Sequence, residues 1–316
     1  MKKVAIIGSG ISGLTCGYYL NKDYNIKMFE AGDYIGGHTN TIEVESSSGP
    51  INVDTGFIVF NDWTYPNFIK MLKETGVESQ VSDMSFSVKC EKTGFEYNGT
   101  NTNTLFAQRS NIFKPTFWKF IKDILRFNKS GLEWIKTAAD DDSTTLGEFL
   151  AQGKYSKMFK KYYGYPITAA IWSAGDEDVM NFPLRFFMTF FKNHGMLSVN
   201  ERPVWRVIKG GSKSYIPAFT KGWEDKIHVN SPVQSVSRID NAVVIESNGR
   251  KEVFDQVIFA CHSDQALKLL EDASSKEKEI LSAIPYQPNE AVLHTDSSVL
   301  PKRKLAWAAW NYHILE

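Results

Sequence analysis

Cysteine is scarce in this chain. The three residues, Cys16, Cys90 and Cys261, are widely separated, odd in number and without metal-binding spacing. They exclude a disulfide framework and read as reduced thiols of a cytoplasmic protein. Charge of one sign is lacking too: 36 Lys and Arg residues are balanced by 36 Asp and Glu residues. A neutral chain gives no reason to expect nucleic acid as a partner. No uninterrupted apolar run reaches the ~18 residues of a membrane span. Met1-Lys2-Lys3 followed by apolar residues faintly mimics a secretory leader, but Gly8 and Gly10 break the stretch and no cleavage site follows. No zinc signature, P-loop, Gly-x-Ser-x-Gly elbow or cysteine-nucleophile motif occurs, so metal, hydrolase and NTPase readings have no support.

What the chain does have is concentrated first in its opening forty residues. Lys3 to Gly8 reads as a short buried parallel strand, apolar at Val4, Ala5, Ile6 and Ile7. Gly8-Ser9-Gly10-Ile11-Ser12-Gly13 follows at once, then a helical pattern and a second strand, Asn25 to Phe29, closed by Glu30 and Ala31. This is G-x-G-x-x-G after a strand and opening a helix, with an acid about 20 positions on. Gly8 permits the tight turn, Gly10 lets the backbone approach a pyrophosphate, and Gly13 lets helix and strand pack closely. The helix start at Ile11 and Ser12 offers N–H groups and a partial positive charge to phosphate. Glu30 suits a ribose 2′-hydroxyl and argues against a 2′-phosphorylated nucleotide. The fingerprint alone serves NAD as well as FAD.

Further along, Ile42 to Val53 predicts a hairpin, Phe57 to Phe60 a strand, and Tyr65 to Thr75 a helix stopped at Gly76. Met84 to Val88 and Phe95 to Tyr97 predict two more strands. The character then changes: residues 100–205 hold 20 of the 42 aromatic residues, mostly in helical periodicity. In one predicted helix, Phe113 to Lys129, the residues Phe113, Phe117, Phe120, Ile121, Ile124 and Leu125 share a face, with the basic residues largely away from it. A core helix with solvated lysines is the plainer reading; a peripheral membrane contact is the alternative. Aromatic helices continue through Tyr162 to Trp172 and Pro183 to Phe191, and Ser212 is a suitable N-cap for a helix through Phe219. The chain then resumes strands at Lys226 to Val229, Val233 to Ile239, Ala242 to Glu246 and Val253 to Ala260.

Six residues past Glu30 stand Gly36-Gly37-His38-Thr39, and later Asp54-Thr55-Gly56-Phe57. With these the sequence resembles the flavin-containing amine oxidase superfamily, which also takes in carotene desaturases and protoporphyrinogen oxidase. Its members carry a second Gly-Gly beside the FAD diphosphate, usually Gly-Gly-Arg where this chain has Gly36-Gly37-His38. Longer stretches, among them Asp54 to Asn61, Ser82 to Val88, Phe191 to Gly195, Trp205 to Ser212 and Trp307 to Tyr312, are similar to bacterial FAD-dependent oxidoreductases often described only as predicted NAD/FAD-binding proteins. That resemblance implies an α/β fold: a Rossmann-like FAD-binding domain, with a parallel sheet, helices and a β-meander, carrying an inserted, mostly helical, aromatic-rich substrate domain. The expected layout is FAD-binding over 1–80, substrate domain over 81–210, FAD-binding again over 211–283, and a return to the substrate domain over 284–316. The family pattern continues beyond Glu316 with a last glycine-containing FAD segment, so a C-terminally truncated chain is expected.

The resemblance further implies FAD as cofactor and an oxidoreductase passing hydride or electrons to the flavin. The backbone around Gly36, Gly37, His38, Gly56 and Phe57 would lie along the diphosphate and flavin, and the main chain of Val233 would meet the adenine. Some members are linked to oxidation of methylated fatty acyl chains, which makes an apolar, lipid-borne substrate the leading expectation. An amine is a second expectation, weakened because Asn289-Glu290 stands at the rough position of the lysine that amine oxidases hold near the flavin. A non-enzymatic dinucleotide-binding partner of a lipid-modifying enzyme is a third. His194 and His294 are candidates for proton transfer beside the flavin, each with a structural role as the plainer reading. Trp172, Trp205, Phe187 and Phe191 are candidate linings of an apolar tunnel. The electron acceptor is left open among oxygen, a quinone and another protein.

Overall fold

Val4, Ala5, Ile6 and Ile7 are all buried, so the strand they form needs cover on both faces. The computed structural model, which describes residues 1–173 and 175–315, supplies that cover. Strand β1 (Lys3–Ile7) leads through the glycine turn into helix α1 (Ile11–Leu20), which packs back on β1 and on strand β2 (Asn25–Phe29). A hairpin, β3 (Thr41–Ser46) and β4 (Gly49–Asp54), follows. Late in the chain β5 (Ile227–His228) joins the open edge of β2. Strands β6 (Val233–Ile239), β7 (Ala242–Ser247) and β8 (Arg250–Phe254) form an antiparallel meander. Strand β9 (Gln256–Phe259) then pairs with the other side of β1, giving a parallel sheet in the order β5-β2-β1-β9. Ala5, Ile7 and Phe29 on one face of that sheet pack with Val236, Ile245 and Phe254 of the meander.

The chain divides into two units. The first comprises Met1–Val59, Asn67–Gln80 and Val207–Val292; the second comprises Phe60–Pro66, Val81–Arg206 and Leu293–Glu316. The first holds the parallel sheet, the meander and the hairpin. The second is built on an aromatic core in which Phe117, Phe120, Phe127, Phe159, Phe187 and Phe191 are fully buried. Each such side chain contributes about 2–3 kcal/mol of burial free energy, so this core is the second unit's main source of stability. Its longest helix, Pro115–Thr137, begins with proline, whose missing N–H costs nothing at that position. Gly131 lets this helix cross Leu184–Asn193 closely, because a Cβ there would lie 2.6 Å from the Met188 sulfur. Beside the helices, Trp310–Ile314 runs parallel to Phe86–Cys90, which pairs antiparallel with Glu96–Asn98.

Four local expectations change. The predicted strand at Phe57–Phe60 reduces to Phe60–Asn61, paired with Arg206 and Trp205. The Phe57 N–H is instead donated to the His38 carbonyl at 2.7 Å, which takes it out of any ladder. The run Val253 to Ala260 splits between two sheets at Asp255, where the chain leaves the meander and the Asp255 N–H bonds the Lys3 carbonyl. Ser212 does not cap a helix; its N–H and hydroxyl both bond Asp54, and the segment begins as a 3-10 turn. Phe113 precedes the helix Pro115–Thr137 and is 85% exposed, and Leu125 is half-exposed, so neither shares the buried face of Phe117 and Phe120.

Candidate functional site

The first unit brings three glycine segments into backbone contact. Gly8 takes a positive φ of 103°, and Gly13 passes so near that a Cβ on it would lie 1.9 Å from the Gly8 carbonyl oxygen. Gly36 and Gly37 also have positive φ, and Gly36 forms a parallel bridge with Gly10 while its N–H bonds the Ser9 carbonyl at 3.1 Å. Gly56 closes the stack, since a Cβ there would lie 2.2 Å from the His38 carbonyl oxygen. Gly10 differs from the others. Its φ of −64° suits any residue, and a Cβ on it would meet nothing within 4 Å. Neither packing nor backbone strain calls for glycine there. The backbone there is open to close approach from outside the chain.

Gly10 is also the N-cap of α1, and no side chain caps the helix. Ile11 and Ser12, both exposed, begin it with neither an acidic nor a capping group to occupy its N–H groups. An uncapped helix N-terminus beside an open glycine is an anion site in the making. Glu30 lies alongside. One of its carboxylate oxygens accepts from the Ser9 N–H (2.9 Å) and hydroxyl (2.5 Å), and the other from the Gly32 N–H (2.8 Å). Ala31 is the bend that allows that last bond. The turn before β6 is tied to the same place: the Ser231 N–H bonds the Glu30 carbonyl and the Asn230 N–H the Gly32 carbonyl. Val233 starts β6 two residues later, at a register irregularity.

Sequence reasoning missed several supports of this site. The Thr39 hydroxyl is hydrogen-bonded to Tyr215, whose phenol burial pushes up. Asp54 accepts from Thr41 at 2.6 Å as well as from Ser212. His38 stacks on His262 (ring centroids 6.0 Å apart), and His262 stacks on Tyr286 at 4.3 Å. His262 was within reach, since it follows the strand that ends beside β1; what sequence could not give was its facing His38. Burial pushes the Cys16 and Cys261 thiols up, so neither is a poised thiolate. Among the described residues no cluster of His, Cys, Asp and Glu could hold a metal ion.

The two histidine candidates lie outside this unit. His194 has its Nδ1 at 2.8 Å from the Phe190 carbonyl and its ring stacked on Phe190 and Trp205. His294 is exposed, and its Nδ1 accepts the Asp296 N–H at 3.1 Å. Both have the local contacts of structural residues. Phe187 and Phe191 fill the second unit's core, so they are not tunnel linings; Trp172 is half-buried against Phe182, Phe187 and Phe190.

Compared with protein families, residues 11–307 match the profile of flavin containing amine oxidoreductases. The chain belongs to that family. Solved structures share its fold. Cyclohexylamine oxidase from Brevibacterium oxydans IH-35A aligns with a TM-score of 0.70 at 19% identity, covering 89% of this chain and 63% of that one. A redesigned putrescine oxidase gives 0.69 at 15% identity with the same coverage. The conjugated-linoleic-acid-producing fatty acid isomerase from P. acnes gives 0.60 at 16%, again with that coverage. The chain thus spans 63% of the length of these structures. No curated protein matches the sequence. FAD is the cofactor of the flavin-containing family, and the open Gly10 backbone, the uncapped α1 and the placed Glu30 carboxylate fit its diphosphate and ribose.

Proposed function

We propose that the first unit binds FAD on its glycine floor and that the protein is an FAD-dependent oxidoreductase acting on an apolar substrate. The observation that carries the reading is Gly10, a glycine that neither conformation nor packing requires, at the uncapped start of α1 and bridged to Gly36. Gly8, Gly10, Ile11, Ser12 and Gly13 would hold the diphosphate from one side, with Gly36, Gly37 and His38 on the other. Glu30 would take the ribose hydroxyls, its position set by Ser9 and Gly32. Val233, carried on a turn hydrogen-bonded to Glu30 and Gly32, would meet the adenine, and Gly56 and Phe57 would run toward the flavin. When bound, FAD supplies the electron-accepting chemistry, while the protein supplies binding and orientation.

A fatty-acyl substrate is the first to test, because the resemblance puts Asn289-Glu290, and no lysine, at the rough position where the family's amine oxidases carry one. The amine reading is kept second, supported by the two amine oxidases that share the fold. The test is an absorption spectrum of the purified chain with FAD, before and after dithionite, followed by turnover of fatty acyl compounds and of amines with an artificial electron acceptor. Flavin bands that bleach on reduction, with acyl turnover, are expected. Hydrogen peroxide release with amines alone would favour the second reading. Bound flavin with no turnover of any donor would leave a nucleotide-binding partner, and a folded chain that takes up no flavin would show that these residues by themselves do not hold it.

A further inference from the structure

The segment 109–129 carries six basic residues, Arg109, Lys114, Lys119, Lys122, Arg126 and Lys129, against the single acid Asp123, in a chain with no net charge overall. Asp123 is buried, paired with Arg126 at 2.8 Å and bonded to the Ser156 N–H at 3.0 Å, and Lys129 lies 3.9 Å from Glu133; among the described residues Arg109, Lys114, Lys119 and Lys122 are left without an ion pair. The inner face of the helix Pro115–Thr137 is settled by the buried Phe117, Phe120 and Phe127. On the outside, the i, i+4, i+7, i+11 spacing puts Trp118, Lys122, Leu125 and Lys129 in one stripe, all of them exposed. At its N-terminal end Ile112 and Phe113 project from the preceding 3-10 turn, Phe113 with 85% of its surface in solvent. The Trp118 indole N–H bonds the Ile112 carbonyl at 2.8 Å, and its ring packs 5.3 Å from Phe106. Trp118 is therefore held in place beside the exposed Phe113.

Ile112, Phe113, Pro115, Trp118, Lys119 and Lys122 together line an open groove. No carboxylate lines it, and among the described residues none lies within ion-pair distance of Lys119 or Lys122. We infer that this face rests on an anionic phospholipid surface, with Phe113 and Trp118 entering the boundary between headgroups and acyl chains and the lysines meeting phosphate. Aromatic and apolar side chains beside lysines are what an interfacial site requires. A second copy of the chain is a poorer occupant, since an isologous contact would set these lysines against themselves. The contact would be peripheral: among the described residues no helix is long and apolar enough to cross a membrane. It is independent of the flavin reading and reverses the face considered from sequence, because the apolar stripe of Phe117 and Phe120 is core.

The experiment is co-sedimentation of the full chain with phosphatidylcholine vesicles, with and without phosphatidylglycerol, at low and high salt, with and without FAD. Binding to the anionic vesicles is expected, weakened by salt and unchanged by FAD. The double variant Lys119→Glu/Lys122→Glu should bind on the order of tenfold more weakly or worse. Phe113→Ser should weaken binding at both salt concentrations. Circular dichroism checks that each exposed-site variant is folded, and hydrogen exchange over residues 112–122 should slow on anionic vesicles. Failure to sediment at low salt, or sedimentation that neither variant weakens, overturns the proposal. So does a concentration-dependent dimer that Phe113→Ser dissociates in the absence of vesicle binding.

Discussion

Gly10 and Gly13 belong to one motif and serve different needs. A Cβ at Gly13 would overlap the Gly8 carbonyl oxygen, whereas a Cβ at Gly10 would enter open space. Gly13→Ala should therefore lower the stability of the ligand-free protein by about 2–3 kcal/mol, the usual cost of overpacking. Gly10→Ala, which meets no clash and loses only the N-cap preference for glycine, should cost about 1 kcal/mol while weakening FAD on the order of tenfold or more, a clash of about 1.4 kcal/mol. Urea unfolding without FAD, and flavin titration of the folded variants, separate the two effects. Equal loss of stability in both would mean that Gly10 is structural after all. The glycine spacing is readable in sequence because the turn it builds is local. That one glycine is needed by the chain and the other by a ligand is not, since it depends on what stands opposite each Cα.

At the level of elements, the parallel sheet and the meander are linked by charge. Lys27 on β2 reaches Glu252 on β8, and Lys3 on β1 lies 3.5 Å from the same carboxylate. Lys27 above all, then Lys3, holds the Glu252 carboxyl below its usual range. A carboxyl whose pKa is lower in the folded state stabilises at pH values above its unfolded pKa and loses that contribution as pH falls through the folded one. Glu252→Gln should therefore cost up to about 1 kcal/mol at neutral pH, solvent screening keeping a partly exposed pair this small. The difference from the parent should shrink as pH falls through the ordinary glutamate range and vanish below the lowered folded value. Thermal unfolding from pH 7 downward measures it, and a gap that persists at low pH would show that the ion pair is not its source. The strands of this pair are legible as apolar runs. Their sheet membership is not: Val253 to Ala260 reads as one strand because Asp255 marks no break in the pattern, yet the chain changes sheets there. The helix at 115–137 shows the same limit, since periodicity found an amphipathic helix but set Phe113 and Leu125 on the wrong side.

For the molecule as a whole, hydrogen exchange should register FAD in the first unit. Protection should rise at residues 8–13, 36–38 and 54–57, whose backbones form the glycine floor. Slowing confined to segments of the second unit would place the nucleotide elsewhere. The nucleotide-binding character is legible along the chain, because a strand, a glycine turn, a helix start and an acid are set by near neighbours. The sequence by itself also carries the family, through glycine segments whose spacing is kept by the backbone they must bring near a cofactor. Tertiary structure alone decided which segments meet: Gly36 on Gly10, Gly56 on the His38 carbonyl, His262 on His38. It also decided that the aromatic helices close on themselves as a core while Phe113 and Trp118 face outward. The physical reason is the same in each case: conformational preference acts between near neighbours, whereas burial and contact depend on parts of the chain that periodicity cannot pair.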